Sequence, residues 1–214
     1  MSKLVIVESP AKAKTIQKYL GDGYTVLPTI GHIRELPKKD AIDPNNGYSM
    51  KYIVSPGKED AVKKIKSDAK SAEQVILATD PDREGEAIAW HVADIITKAK
   101  FEQPDIKRAI FYEISEKAVK AAVGNPGEIA MDLVQSQETR RALDRHFGFS
   151  LSPLLWRLFP SNNHSAGRVQ SPALRMIVER EREIEAFVPQ EYWTISAKLE
   201  KDGEYDAKLS VFKE

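Results

Sequence analysis

Short apolar runs alternate with amphipathic stretches over the first 125 residues of the chain. Four of these runs have the length and composition of buried strands: residues 4–7, 24–28, 75–78 and 109–112. The stretches between and after them place apolar residues at helical spacing, over residues 10–20, 58–72, 87–96 and 115–123. Strands that alternate with helices form parallel βαβ units, so the pattern predicts an α/β fold with a mainly parallel sheet and flanking helices.

The pattern changes at Asn125-Pro126-Gly127, which interrupts both helices and strands. Residues 128–156 then predict a helix, whose inward positions we expect to be Leu133, Ala142, Leu143, Phe147 and Leu151. Ser171 can cap a further helix, and residues 192–198 and 205–212 alternate like two strands. We therefore expect an α/β domain over 1–125, a mostly helical segment over 126–190 and the start of a β-rich region over 191–214.

Composition restricts the class of protein without identifying it. The 214 residues are 42% hydrophobic and 30% charged, which is ordinary for a globular protein. The absence of cysteine excludes disulfides and thiolate metal sites. No apolar run is long enough for a membrane span, and the first residues resemble a strand rather than a signal peptide, so a cytoplasmic location is expected.

Charge is distributed unevenly although the net charge is zero. The segment from Thr139 to Met176 contains six arginines and one acid, Asp144, and so carries +5. The rest of the chain carries −5. A region rich in acids therefore precedes an arginine-rich region, and the second could bind phosphate groups through its local charge.

The most informative stretch is Asp80-Pro81-Asp82-Arg83-Glu84-Gly85-Glu86, between a predicted strand and a predicted helix. Asp80 and Asp82 point the same way on an extended backbone, and Glu86 follows one helical turn later. Such carboxylates need a compensating cation, and oxygen ligands suit Mg²⁺. A solvated acidic turn that caps the helix is the alternative, because acids favour helix N-termini.

The N-terminus has a similar arrangement. Glu8 ends the first predicted strand, Ser9 can cap the following helix and Pro10 fits its first position. With Lys12 in the first turn, an acid and a base are expected beside a helix N-terminus. Taken alone, Glu8 could equally be a simple acid at the end of a strand. Lys12 could be a solvent-exposed lysine without a role in the chemistry.

Together, residues 4–16, Gly31-His32-Ile33-Arg34-Glu35-Leu36-Pro37 and residues 80–86 closely resemble the Toprim domain of bacterial type IA DNA topoisomerases. Ser165-Ala166-Gly167-Arg168-Val169-Gln170-Ser171-Pro172-Ala173-Leu174 resembles the next domain of the same family. The resemblance extends in order to about Trp193. It implies a Toprim fold, which is Rossmann-like, followed by a helical domain and the start of a β-rich arch.

The resemblance implies an enzyme that relaxes negatively supercoiled DNA without ATP. Such enzymes cut one strand through a 5′-phosphotyrosine, pass another strand through the gap and reseal the first. It also implies Mg²⁺ as the cofactor, single-stranded DNA as the partner, a monomer, and a bacterial cytoplasmic, nucleoid-associated location. None of the seven tyrosines lies in the family's nucleophile motif, so we expect an N-terminal fragment that is inactive alone.

The resemblance assigns roles at the cleavage site residue by residue. Glu8 carries a proton at the scissile phosphate and can contact the metal, and Lys12 stabilises phosphate charge. Asp80, Asp82 and Glu86 match the acidic triad and, with Glu8, form the expected metal site. Glu84 is a further acid of the site, and Arg83 is a neighbour of the phosphate.

The resemblance also implies a groove for single-stranded DNA. The residues assigned to DNA binding are His32, Arg140, Arg141, Asp144, Phe149, Ser165, Gly167, Arg168 and Gln170. Alternatives from the residues themselves are a structural histidine at position 32 and a solvent-exposed, salt-bridged helix face at Arg140 and Asp144. The loop before Ser165 departs from the family pattern, because it is about one residue longer and lacks the usual Gly-Leu.

Other readings of the chain predict different activities. The Toprim scaffold also serves primases and nucleases, but the Ser165–Ser171 motif disfavours both. A decatenating type IA enzyme is closer, although its N-terminus usually reads Glu-Lys-Pro-Ser instead of Glu8-Ser9-Pro10-Ala11. A non-catalytic module that binds DNA or metal is the alternative for the isolated fragment.

Overall fold

The computed structural model describes residues 3–159 and 164–209. Its contacts divide the chain into two compact units, one ending at Ser165 and the other beginning at Ala166. The domain boundaries expected at residues 125 and 190 do not coincide with this division and remain predictions. Within the described ranges, no helix is both long and apolar enough to cross a membrane.

The first unit contains most of the regular elements. Its strands are β1 (Lys3–Val7), β2 (Tyr24–Pro28), β3 (Arg34–Glu35), β4 (Ile42–Asp43), β5 (Ser49–Met50), β6 (Ile53–Val54), β7 (Gln74–Leu77) and β8 (Asp105–Arg108). Its helices are α1 (Pro10–Leu20), α2 (Glu59–Ser71), α3 (Arg83–Thr97), α4 (Glu116–Gly124) and α5 (Met131–Leu158).

Four strands form a parallel sheet in the order β2-β1-β7-β8. The central strand β1 pairs with β2 through Leu4 and Thr25, and with β7 through Leu4 and Val75. The sheet lies between helices, which confirms the predicted α/β fold class. Because β1 and β7 are adjacent and parallel, the residues that follow them meet at one edge of the sheet.

Side chains of β1 alternate between two apolar cores. Leu4 and Ile6 pack with residues of α2 and α3, whereas Val5 and Val7 pack with residues of α1 and α4. Successive strand residues point to opposite faces, so a strand covered on both sides is apolar throughout. This explains why the short uninterrupted runs of the sequence predicted the central strands correctly.

The last strand of the sheet was placed wrongly from the sequence. The prediction was 109–112, but β8 is Asp105–Arg108, a strand at the sheet edge whose one apolar residue is Ile106. Ala109 and Phe111 are buried beyond the strand's end, against α1 and α4. The apolar run therefore marks the segment after the strand.

Three of the five positions predicted for the inward face of α5 are wrong, whereas Ala142 and Leu151 are half-buried. Val134 and Ser152 are its buried residues, whereas Leu133, Leu143 and Phe147 are 42–56% exposed. The helix packs against α3 through a face that includes polar side chains, described below. Apolar periodicity does not identify such a face.

The second unit consists of α6 (Gln170–Ala186) and an antiparallel pair, β9 (Ser196–Glu200) with β10 (Glu204–Lys208). The helix begins one residue before Ser171, so Ser171 is not its N-cap; the capping position is Val169. The predicted strands are thus confirmed as a pair with shifted bounds: β9 begins and ends later than predicted, and β10 begins one residue earlier. The end of the predicted strand 205–212 lies outside the described residues.

Candidate active site

Glu8 and Asp80 lie together at the carboxyl ends of β1 and β7. The backbone of β7 continues past Leu77 beside β1, with the Ala78 amide donating to the Ile6 carbonyl at 2.7 Å. The Asp80 amide then donates to Glu8 Oε1 at 3.0 Å. Two acids separated by 72 residues in sequence are therefore in direct contact.

Lys12 supplies the positive charge between these acids. Ser9 caps α1 by accepting from the Lys12 amide at 3.3 Å, as predicted, and this places Lys12 in the first turn. Its Nζ pairs with Asp80 Oδ1 and lies 4.0 Å from Glu8 Oε2. The three side chains form a half-buried cluster that can hold a proton on an acid and a positive charge near a phosphate.

The two acids of this cluster have shifted pKa values in opposite directions. Burial raises the pKa of Glu8; the hydrogen bond from the Asp80 amide and the charge of Lys12 oppose this rise, whereas the Asp80 carboxylate adds to it. Burial also acts to raise the pKa of Asp80, but hydrogen bonds from Lys12 and Glu8 and the charges of Lys12 and Arg108 outweigh it and leave the pKa lowered. Glu8 is therefore the more readily protonated acid of the pair.

Asp82, Arg83 and Glu84 form the exposed turn at the start of α3. Asp82 is the N-cap, with Oδ1 accepting from the Gly85 amide at 2.7 Å. This agrees with the helix-capping interpretation, and a metal role stays open because the second oxygen of Asp82 has no hydrogen-bond partner among the described residues. Arg83 is the first residue of the helix, and its side chain is exposed as a phosphate neighbour would require.

Gly85 lets the helix approach the backbone of Asp80 very closely. A Cβ at this position would lie 2.8 Å from the Asp80 amide nitrogen and closer still to its carbonyl oxygen. Thr79 Oγ1 also donates to the Gly85 carbonyl at 2.7 Å. The glycine is therefore needed for space, and it fixes the position of Asp80 relative to α3.

The carboxylate of Glu86 is buried and hydrogen-bonded away from the other acids of the motif. It is 1% exposed, and its two oxygens accept from Arg108 Nε at 2.8 Å and from the Ala130 amide at 2.7 Å. Glu86 was predicted to be a metal ligand, but each of its carboxylate oxygens already accepts a hydrogen bond within the protein. Its observed contacts instead join α3 to β8 and to the start of α5.

Arg108 is a residue of this site that the sequence reasoning missed. Besides Glu86, its guanidinium donates to the carbonyls of Leu77, Ala109 and Asp80 at 2.6–3.0 Å. It is 1% exposed, so these bonds hold the Asp80 loop in an environment that excludes water. The only sequence signal was a single arginine directly before an apolar run.

His32 and Glu84 are brought together above the same edge of the sheet. His32 Nε2 lies 2.8 Å from Glu84 Oε1, and both side chains are partly exposed. The loop before His32 contains Ile30 at φ 58° and Gly31 at φ 80°, and the Gly31 amide donates to the Glu8 carbonyl at 3.0 Å. A β-branched residue at positive φ is strained, so the fold holds this loop in place beside Glu8.

The donor set fits a weakly held and largely hydrated Mg²⁺. Within residues 3–159 and 164–209, no group of three or more acidic or histidine side chains is placed to hold a metal ion, so any ion would depend on one or two of them. Mg²⁺ commonly uses only one or two carboxylates and keeps several waters. Asp82 and Glu84 are exposed at the helix start and Asp80 is half-buried beside them, so oxygen ligands are accessible there.

A second group of predicted residues lies along α5. Arg140 Nε is 3.7 Å from Asp144 Oδ2, an i,i+4 pair on a partly exposed face, as the salt-bridge alternative had it. Arg141 reaches the other way, with Nη2 donating to the Arg34 carbonyl at 3.4 Å. The two neighbouring arginines therefore belong to different faces of the helix.

Arg145 is the other residue that sequence reasoning missed. Its guanidinium carbon lies 4.1 Å from the centre of the Phe149 ring, and the ring is 61% exposed. Its Nη2 also donates to the carbonyls of Pro37 and Lys38. An exposed aromatic ring with a cation over it can stack on a nucleobase while the charge meets a phosphate.

The Ser165–Leu174 motif after α5 includes residues of both units. Ser165 closes the first unit, whereas Gly167, Arg168 and Gln170 open the second. Arg168 is exposed just before α6, and Gln170 is the first residue of that helix. A Cβ on Gly167 would lie 3.2 Å from Gln170 Oε1, so the glycine permits a tight turn there.

Models of two known families match successive parts of the chain. The family model of the Toprim domain matches residues 3–114, and that of DNA topoisomerase matches residues 128–213. The solved structure of full-length topoisomerase I from Thermotoga maritima is similar with a TM-score of 0.81 and 44% identity. That match covers 97% of this chain and 34% of the Thermotoga chain.

Curated relatives give the same result. DNA topoisomerase 1 of Zymomonas mobilis is 52% identical over 202 residues, which are 94% of this chain and 17% of the relative. DNA topoisomerase 1 of Rickettsia felis is 54% identical over 213 residues, which are 97% of this chain and 27% of the relative. The chain thus spans about a quarter or less of the length of these relatives.

Proposed function

The chain belongs to the Toprim domain family, and from this premise we propose that it supplies the acidic half of the active site of a type IA DNA topoisomerase. The proposed enzyme relaxes negatively supercoiled DNA by cutting, passing and resealing single strands without ATP. The observation that carries the proposal is the contact of Glu8, Lys12 and Asp80 at the ends of two adjacent parallel strands.

In this proposal, Glu8 and Lys12 act at the scissile phosphate. The raised pKa of Glu8 suits a group that gives a proton to the 3′-oxygen when the strand is cut and takes it back on resealing. Lys12 stabilises negative charge on the phosphate, since its ammonium lies between the two acids at the mouth of the site. The proposal assigns this attack to none of the seven tyrosines of the chain, because none lies in the nucleophile motif that the resemblance implies.

Asp80, Asp82 and Glu84 would hold Mg²⁺, with Glu86 as the residue that supports them. Bound there, the cation neutralises phosphate charge and helps to align the resealing hydroxyl. We favour Glu84 over Glu86 as the third acid because Glu84 is exposed, whereas both oxygens of Glu86 are taken by Arg108 and Ala130.

The arginines along α5 and before α6 would bind the phosphates of single-stranded DNA. Arg141 and Arg168 are proposed to hold one phosphate each, and Phe149 to stack on a base with Arg145 over its ring. The local charge of +5 between Thr139 and Met176 provides the attraction although the whole chain is neutral.

Salt dependence of DNA binding tests this part of the proposal. Phosphate contacts release counterions, so log affinity for a single strand falls with log salt by about 0.7 per phosphate neutralised. Changing both Arg141 and Arg168 to Ala should therefore flatten the slope by about 1.4. Changing Phe149 to Ala should weaken binding by about 1–3 kcal/mol with little change in slope. Fluorescence anisotropy with a labelled oligothymidylate measures both quantities.

Arg180→Ala is the matched control for lost positive charge. Arg180 is 73% exposed on α6 and pairs with Glu183. It is not one of the residues assigned to DNA binding, so its variant should keep the parent slope. An unchanged slope in a folded Arg141→Ala/Arg168→Ala variant would remove both arginines from the DNA site. Circular dichroism establishes whether each variant is folded.

A further inference from the structure

The face of α5 that packs on the α/β part carries charged side chains where apolar ones were expected. Val134, Glu138, Arg141 and Arg145 recur at spacings of three and four residues along this helix. Glu138 and Arg141 contact the strand region around Arg34 and Tyr52. An acid and a base three residues apart on a helix ordinarily pair with each other.

Glu138 is paired with a neutral hydroxyl instead. The Tyr52 hydroxyl lies 2.7 Å from Glu138 Oε1 and 2.6 Å from Oε2, so its single hydrogen is shared between the two oxygens. Burial raises the pKa of Tyr52, and Glu138 raises it further, so the phenol keeps its proton. Among the described residues, Glu138 has no lysine or arginine nitrogen within 4.0 Å.

The other neighbours of Glu138 are also prevented from neutralising it. His91 is fully buried, and its Nδ1 accepts from Arg34 Nε at 3.1 Å and Nη2 at 2.7 Å. Burial, together with Arg34, lowers the pKa of His91 to about 3, so the ring is neutral although its Nε2 is 4.0 Å from Glu138 Oε1. Arg34 itself pairs with Asp94.

Arg141 is consequently left without an acidic partner in the described chain. Its guanidinium carbon lies 5.5 Å from the centre of the Tyr52 ring, and its one hydrogen bond is the long contact with the Arg34 carbonyl. A guanidinium held by a ring face and one weak bond can turn to a phosphate at little cost.

We propose that Tyr52 is a positioning residue that holds the Glu138 carboxylate and thereby keeps Arg141 available for a DNA phosphate. This inference rests on the proposed function, because it presumes that Arg141 meets DNA. Removing the Tyr52 hydroxyl would leave a half-buried carboxylate without this donor, and the cation whose charge acts on it most is Arg141 on the same helix.

The test compares the salt slope of oligothymidylate binding in four variants of the 214-residue chain. Tyr52→Phe keeps the ring and loses the hydroxyl, and should flatten the slope by about 0.7, as should Arg141→Ala. Tyr52→Phe/Glu138→Gln should restore the parent slope, because no carboxylate remains to capture Arg141. Tyr48→Phe, at a 61% exposed tyrosine nearby in sequence, is the control and should keep the parent slope.

The rescue separates positioning from a merely structural role. If Tyr52 only supported the fold, adding Glu138→Gln would leave the slope flattened, and that result would overturn the inference, as would a parent slope in folded Tyr52→Phe. If Tyr52→Phe unfolds below the assay temperature, Glu138→Asp is tested in its place. The shorter side chain moves the carboxylate away from the Tyr52 hydroxyl, so this variant should flatten the slope by the same amount as Tyr52→Phe. An unchanged slope in Arg141→Ala would reject the proposed DNA contact itself, and the positioning role with it.

Discussion

Replacing Arg108 by alanine is expected to lower the free energy of unfolding by about 3–5 kcal/mol, because it leaves a buried charge without its partner. The Glu86 carboxylate, 1% exposed, would keep only the bond from the Ala130 amide. The carbonyls of Leu77, Ala109 and Asp80 would each lose a donor as well. Urea denaturation followed by circular dichroism measures the change.

Lys107→Ala is the control for this experiment. Lys107 is the neighbouring residue on β8, and its ion pair with Glu128 is at the surface, so its loss should leave the unfolding curve near that of the parent. Equal stability of the Arg108→Ala variant and the parent would contradict the view that the Glu86–Arg108 pair fixes the acidic loop.

Gly85→Ala is expected to destabilise the protein by about 1–3 kcal/mol, because an added methyl group overpacks a tight contact. The new Cβ would meet the backbone of Asp80 at less than 3 Å, and backbone atoms can only give way if the loop moves. Asp80 would then shift relative to Lys12 and Glu8, so weaker Mg²⁺ binding should accompany the lower stability. Thermal unfolding and metal titration measure the two effects separately.

Gly124→Ala provides the matched substitution in open space. Gly124 ends α4, and an added Cβ would find no atom within 4 Å, so alanine there should be neutral or slightly stabilising through its higher helix propensity. If Gly85→Ala behaved like Gly124→Ala in both measurements, the close approach of α3 to Asp80 would have no energetic consequence.

The sequence predicted those parts of the site that depend on local interactions. Ser9 caps α1 and Lys12 follows in the first turn, because both features are encoded within a few residues. The meeting of Glu8 with Asp80 was also predictable, since parallel strands place their carboxyl ends at one edge. These elements needed only the order of strands and helices along the chain.

The contacts that decide the role of Glu86 could not be predicted from the order of strands and helices along the chain. Spacing placed Glu86 one turn beyond Asp82, but its partner Arg108 lies 22 residues away on β8. The same holds for α5, where the inward face is identified by Tyr52, 86 residues before Glu138. A buried pair between distant polar residues leaves no periodic signal, so apolar patterning placed three of the five inward positions wrongly.

The most direct test of the acidic site is a Mg²⁺ titration of the whole chain followed by backbone NMR. The account predicts shifts at Glu8, Asp80, Asp82 and Glu84, and none at Asp60, an acid that is 96% exposed on α2. Asp82→Asn, which retains a good helix cap, should weaken the response without unfolding the chain. Absence of shifts at the four acids up to ~10 mM Mg²⁺, an excess for a weakly held and hydrated ion, would contradict the proposed metal site.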